Sequence, residues 1–282
     1  MNVKSVFVHR MGADFASYRY RAAIPAEQVG GTVNGGEGHV YIFSKPTPDD
    51  VKLAKECKAE GVKVVADLGD DHFRHAVWGP IYVEMAKLCD ALVTPTENMA
   101  GRIMKYIGRK ADVVIPDPYE EPYCAPHANG AERMLWYGNA CNLGDIRPLL
   151  SFLKGADLTI LTGSNHRHTF DYVKWSKPAQ TEHLQKTQLV LIPVRKGVEY
   201  KSPNRLVNAI RSGCFVVGSE HPSHMEFKRY SWVGNTLTGI RWAQHFQDEL
   251  NDIVAEGQVY IEKFSPANVG KQWAQLLDSL CE

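Results

Sequence analysis

Residues 189–218, LVLIPVRKGVEYKSPNRLVNAIRSGCFVVG, leave this chain few ways to fold. The apolar run 189–194 predicts a buried strand ended by a proline. A charged loop, 195–202, follows it. Pro203 stands where a helix begins, a position whose missing N–H needs no partner. Leu206, Val207, Ala209 and Ile210 give that helix an apolar side, Gly213 ends it, and Phe215, Val216 and Val217 form the next strand. Strand, loop, helix and strand at this spacing specify a βαβ unit. Lys201, Ser202 and Arg205 gather at the helix N-terminus, where free N–H groups and the helix dipole favour an anion. A diphosphate fits that set; a solvated basic loop has the same composition.

The same alternation runs through the rest of the chain. Strands are predicted at 3–8, 39–43, 62–66, 91–94, 113–115, 134–137, 158–162 and 172–175. Helices are predicted near 22–29 and at 49–60, 97–107, 146–153, 181–187, 242–260 and 268–280, with 30–38 as a glycine-rich turn. Strands alternating with helices give an α/β fold with parallel sheets. Residues 117–131, with three prolines and a glycine, read as a linker, after which the pattern restarts. This divides the chain into a first domain, 1–120, and a second, 132–265.

Two loops after strands carry more chemistry than connectors need. The first holds Arg10, Tyr18, Arg19 and Arg21 with Gly12, at an edge where open α/β sheets bind ligands. Its bland reading is a surface loop leading into a helix. The second is Asp67-Leu68-Gly69-Asp70-Asp71-His72. Clustered carboxylates with an imidazole can act as a base, orient a hydroxyl or hold an arginine, and Asp70 or Asp71 can instead cap a helix. His166 and His168 have no third ligand nearby in sequence, so no metal site is expected.

Composition narrows the class. At 282 residues with 44% hydrophobic content, the chain can bury two cores. Zero net charge gives no global attraction to nucleic acid or anionic membrane, and no apolar run is long enough for a membrane span. The N-terminus reads as a first strand rather than a signal peptide. Six scattered cysteines without a CxxC pair suit reduced thiols in a cytoplasm.

Three segments resemble the GT-B glycosyltransferases, in particular the retaining group that uses nucleotide sugars. They are KVVADLGDD…LCDALVTPTENMAGRI…ADVVIPDPYE, then MLWYGN, then the 189–223 block. The resemblance covers most of 39–220. It implies two Rossmann-like doubly wound domains facing across a cleft, the acceptor on the first and the nucleoside-diphosphate sugar on the second. It also implies a final helix, 266–282, packing back on the first domain. Carried over residue by residue, Lys201 and Arg205 neutralise the diphosphate, helped by Ser202 and Asn204. Gly138 lets backbone approach the phosphates, Asn139 contacts them, and Asn208 stands where the family often has a ribose-binding glutamate. Asp70, Asp71 and His72 become the catalytic candidates; Tyr18, Arg19 and Arg21 become the acceptor candidates. No cofactor or metal is implied beyond the nucleotide sugar, UDP-linked in many such enzymes. The acceptors that fit are a hydroxymethylated base in bacteriophage DNA, a surface polysaccharide or a small molecule. A nucleotide-sugar epimerase and a degenerate, non-catalytic nucleotide-sugar binder are the competing readings.

Overall fold

A computed structural model of the chain describes residues 3–163 and 170–282. His166 and His168 lie outside the described residues. The chain forms two compact units. The first comprises residues 1–118, 200–202 and 263–282; the second comprises 119–199 and 203–262.

In the first unit, chain order is β1 (Ser5–Val8), α1 (Ala16–Tyr18), α2 (Ile24–Val29), β2 (Thr32–Val33), β3 (Val40–Ser44), α3 (Pro48–Ala59), β4 (Lys63–Asp67), α4 (Trp78–Leu88), β5 (Ala91–Thr94), α5 (Glu97–Ile107) and β6 (Val113–Val114). A π-helical segment, Arg19–Ala23, joins α1 to α2. The six strands make one parallel sheet in the order β2-β1-β3-β4-β5-β6. Because side chains alternate along a strand, Val6 and Val8 face one layer and Phe7 the other. The first layer, with Phe43, Val64, Ala66 and Leu92, takes its helical cover from Val51 and Ala54 of α3, Met85 of α4 and Ile103 of α5. The second, with Val40, Ile42, Val65 and Val93, is covered by Ala26 of α2 and by Val269, Trp273 and Leu277. Those last three lie on the final helix, Pro266–Cys281. A sheet buried on both faces explains why these strands read as continuous apolar runs.

The second unit contains β7 (Met134–Tyr137), α6 (Leu143–Leu150), β8 (Leu158–Thr162), β9 (Asp171–Lys174), α7 (Lys177–Leu184), β10 (Leu189–Ile192), α8 (Asn204–Arg211), β11 (Phe215–Gly218), β12 (Trp232–Val233), α9 (Thr236–His245) and α10 (Leu250–Tyr260); the final helix is α11. Its parallel sheet runs β12-β11-β10-β7-β8-β9. Met134, Trp136, Ile160, Leu189, Leu191, Phe215 and Val217 share a core with Leu143, Ile146, Ile240, Leu250 and Val254 of α6, α9 and α10.

Several local readings change. The helix near 22–29 begins earlier, at Ala16, and passes through the π-helical segment. The glycine-rich turn contains the short strand β2. The helix read at 181–187 starts at Lys177, capped by Ser176. The helix read as 242–260 is broken into α9 and α10. Residues 119–131 belong to the second unit rather than standing apart as a linker. Their backbone is held by amides: Asn208 Oδ1 accepts from the N–H groups of Glu120 and Glu121 (2.9 and 3.0 Å), and Asn251 Oδ1 accepts from those of Ala128 and Asn129.

Candidate functional site

Both sheets reverse their strand order at one point. In the first unit β1 lies between β2 and β3, and in the second β7 lies between β10 and β8. Ligands of open α/β sheets bind beyond the strand C-termini at such reversals. The candidate residues divide between these two edges and are described unit by unit.

At the first edge, Asp67 closes β4 and is buried. It accepts from Ser44 Oγ at 2.6 Å and from Arg21 Nε and Nη2 at 2.9 and 2.6 Å. Arg21 Nη1 also donates to the Ile115 carbonyl at 2.6 Å and to Asp117 at 3.3 Å. Burial works against the Arg21 charge, but Asp67 and Asp117 outweigh it and its pKa rises. Arg21 is therefore not an acceptor ligand: its guanidinium is spent inside the unit, over the Trp273 ring at 5.5 Å. Its partners lie 46 and 96 residues away, which local reading does not reach. Tyr18 stays near this edge, its ring edge-on to His9 at 5.7 Å, while Arg19 turns back to the Ala13 carbonyl at 2.7 Å.

The acidic turn also divides. Asp70 Oδ2 lies 2.8 Å from Lys45 Nζ and 3.9 Å from His72 Nε2. Burial is the main reason the His72 pKa falls, with the Lys45 charge adding to it, so the imidazole is neutral at pH 7. Asp71 points instead to Arg102 on α5, 2.9 Å away. Neither aspartate caps α4, whose N-cap position is Val77. Lys45, just after β3, holds Asp70 from a left-handed backbone (φ 51°), a conformation uncommon for a side chain of its size. His9, at the end of β1, is fully buried, and burial lowers its pKa to about 4. No sequence signal separates either residue from an ordinary strand end.

At the second edge, Arg205 on α8 is partly buried. Its Nη1 donates to the Tyr137 carbonyl at 3.0 Å, while Tyr137 Oη donates to the Arg205 carbonyl at 2.8 Å. Among the described residues Arg205 makes no ion pair, and burial lowers its pKa. Gly138 follows β7 immediately; a Cβ there would stand 3.2 Å from Arg205 Nη1. Asn139 is exposed, with its Oδ1 accepting from the Cys141 N–H at 3.1 Å. α8 begins at Asn204 without a side-chain cap. Arg195, beyond β10, pairs with buried Asp145 of α6 at 3.2 Å.

One donor expectation changes, and two donor candidates fold with the first unit. Asn208 is 1% exposed, and both ends of its amide are engaged: Oδ1 with Glu120 and Glu121, and Nδ2 with the Asn204 carbonyl at 2.8 Å. It is a backbone clamp, and its Oδ1 already accepts two backbone hydrogen bonds. Lys201 and Ser202 fold with the first unit, whereas Asn204, Arg205 and Asn208 fold with the second. Ser202 Oγ is buried without a hydrogen-bond partner among the described residues. A separate cavity of about 470 Å³ lies at the opposite end of the first sheet, lined by His39, Glu60, Lys63 and Cys281; it contains none of the candidates.

Similarity of structure decides the fold. An α-glucosyltransferase in complex with UDP and a 13-mer DNA containing an HMU base aligns with a TM-score of 0.71 at 8% identity, covering 98% of each chain. The fold is GT-B. An α-glucosyltransferase with UDP-glucose and DNA containing an abasic site aligns at 0.68 and 9% identity, covering 98% of this chain and 99% of that one. A Listeria monocytogenes protein assigned as UDP-N-acetylglucosamine 2-epimerase shares the GT-B architecture at 0.58 and 8% identity, covering 98% and 96%. No protein-family model and no curated protein matches the sequence. Among the described residues of this GT-B chain, no helix is long and apolar enough to cross a membrane.

Proposed function

We propose that the chain is a glycosyltransferase that moves a sugar from a nucleoside diphosphate to a hydroxyl, with the donor on the second unit. The observation that carries this is Arg205: a partly buried guanidinium in no ion pair among the described residues, behind Gly138 at the sheet reversal. A buried cation without a counter-charge is unfavourable unless an anion arrives. A diphosphate would meet Arg205, the backbone at Gly138 and Asn139, and the uncapped N-terminus of α8. As the bond from the anomeric carbon to the phosphate oxygen breaks, these groups stabilise the charge left on the diphosphate.

On the first unit, neutral His72 is the proton acceptor for the attacking hydroxyl, and Asp70, held by Lys45, stabilises the imidazolium that forms. The acceptor oxygen bonds to the anomeric carbon, and its proton passes to His72. UDP in two structures of the same fold supports the nucleotide reading. DNA in those complexes supports a base hydroxymethyl group as acceptor, with Tyr18 and Arg19 on the acceptor side, and suits a bacteriophage protein acting in a host cytoplasm.

The test is release of nucleoside diphosphate from a panel of nucleotide sugars, with hydroxymethylated DNA, plain DNA or no acceptor. Release stimulated by hydroxymethylated DNA alone is expected. Release indifferent to DNA removes the DNA acceptor and keeps the transferase. Arg205→Gln is expected to weaken donor binding about 10- to 100-fold, the range for a hydrogen bond to a charged group; unchanged binding would remove Arg205 from the site.

A further inference from the structure

With Asn208 committed to the backbone of residues 120–121, the donor edge lacks the hydroxyl-binding side chain expected on α8. A hydroxyl bound there needs another acceptor. His224 stands in the loop after β11, the strand beside β10. It is 3% exposed, and its Nδ1 lies 3.1 Å from the Ser219 carbonyl. A carbonyl oxygen can only accept, so Nδ1 carries the proton and Nε2 carries the lone pair. Nε2 makes no hydrogen bond among the described residues.

The ring is held on several sides. The His221 ring packs against it with centroids 4.9 Å apart, and the His224 N–H donates to the His221 carbonyl at 2.8 Å. A Cβ at Gly218 would stand 3.1 Å from His224 Nδ1, so the glycine leaves the ring its place. Burial, the neighbouring His221 and the Arg205 charge lower its pKa to about 4, keeping Nε2 unprotonated at pH 7. Arg205 is the proposed diphosphate ligand, so the same charge acts on both positions.

We infer that His224 Nε2 accepts a hydrogen bond from a hydroxyl of the nucleoside-diphosphate sugar, taking the role expected of a side chain on α8. This rests on the donor reading above. The hydroxyl belongs either to the ribose or to the transferred sugar, and the experiment separates the two.

Calorimetric titration of the whole chain with UDP, GDP and ADP, and with their glucose conjugates, identifies the nucleotide bound. The 2′-deoxy and 3′-deoxy forms of that nucleotide are then compared with it. His224→Asn keeps a donor for the Ser219 carbonyl but has no acceptor at the Nε2 position; His224→Gln places an amide oxygen there. His224→Asn is expected to bind the nucleotide sugar about tenfold more weakly. It is also expected to lose the discrimination that the wild-type chain shows against the ligand lacking the hydroxyl, with His224→Gln recovering part of both. Lost discrimination against a deoxynucleotide assigns the ribose; lost preference for the glucose conjugate over the bare nucleotide assigns the sugar.

A His224→Asn protein with unchanged unfolding midpoint and unchanged affinity would overturn the inference. So would a loss that is equal for every analogue. In the unmutated chain, the ¹⁵N resonance of His224 Nε2 is expected to move on saturation with nucleotide sugar; a resonance that stays in place overturns the inference without any variant. If the wild-type chain binds none of the nucleotides, the donor reading itself fails, and His224 with it.

Discussion

Two polar residues at the candidate edges are consumed by the fold, and both are sequence candidates for ligand binding. Arg21 makes a two-pronged ion pair with Asp67 and reaches Asp117 as well. Asn208 uses both ends of its amide. A buried backbone N–H left without an acceptor costs about 1–3 kcal/mol. Asn208→Ala strips the acceptor from two such groups and is expected to destabilise the chain by about 2–4 kcal/mol, read as a lower urea midpoint. Its effect on nucleotide affinity, measured where the variant is folded, is expected to be less than threefold. A large loss of affinity in a fully folded variant would return Asn208 to the donor site.

At the scale of elements, α11 matters most for the first unit. It lies far in sequence from the strands it covers, yet Trp273 is fully buried, edge-on to Phe7 of β1 at 5.5 Å and facing the Arg21 guanidinium. Without it, one face of the sheet would lose its largest cover. Trp273→Ala is expected to reduce stability by about 3–5 kcal/mol, the usual range for deleting a buried aromatic side chain, and to broaden the thermal transition if the first unit then melts before the second. Scanning calorimetry reads both. α8 presents a different arrangement: its apolar side is fixed by Leu206, Val207, Ala209 and Ile210, and its N-terminus carries no side-chain cap. The first element serves packing, whereas the second is the one proposed to join packing to binding.

For the whole molecule, two arginines secure the ends of the units. Arg21 links Asp117, near the end of the first unit's main segment, to Trp273 on its returning helix. Arg211 in the second unit lies over Tyr119 at 4.6 Å and pairs with Glu262 at 3.1 Å, tying that unit's first residue to its last. Stability also has a whole-molecule pH dependence. His9 and His224 are buried and neutral, with pKa lowered to about 4 from 6.5, mainly by burial. The unfolded chain therefore takes up protons that the folded chain refuses. Stability is complete above pH 6.5, falls between pH 6.5 and about 4, and levels below that. For His224 the loss reaches about 2 kcal/mol by pH 5. Urea midpoints at pH 7.5 and pH 5.0 check the sign, and His224→Asn is expected to shrink the difference.

The alternation of apolar runs with helical periodicity made the two α/β halves, most strand positions and the βαβ block around α8 legible from sequence alone. These depend on spacing within about 30 residues, and burial on both sheet faces makes that spacing insensitive to the details of side-chain contact. The order of motifs also made the GT-B resemblance legible. Which polar residues remain available for chemistry was decided by tertiary structure. Arg21 meets Asp67 across 46 residues, Asn208 meets Glu120 across 88, and Lys45 meets Asp70 only because β3 and β4 are neighbours. His224 enters the donor edge because β11 lies beside β10 and Gly218 leaves room for its ring. A hydrogen bond is spent or free according to partners that the fold supplies, and no local pattern encodes those partners.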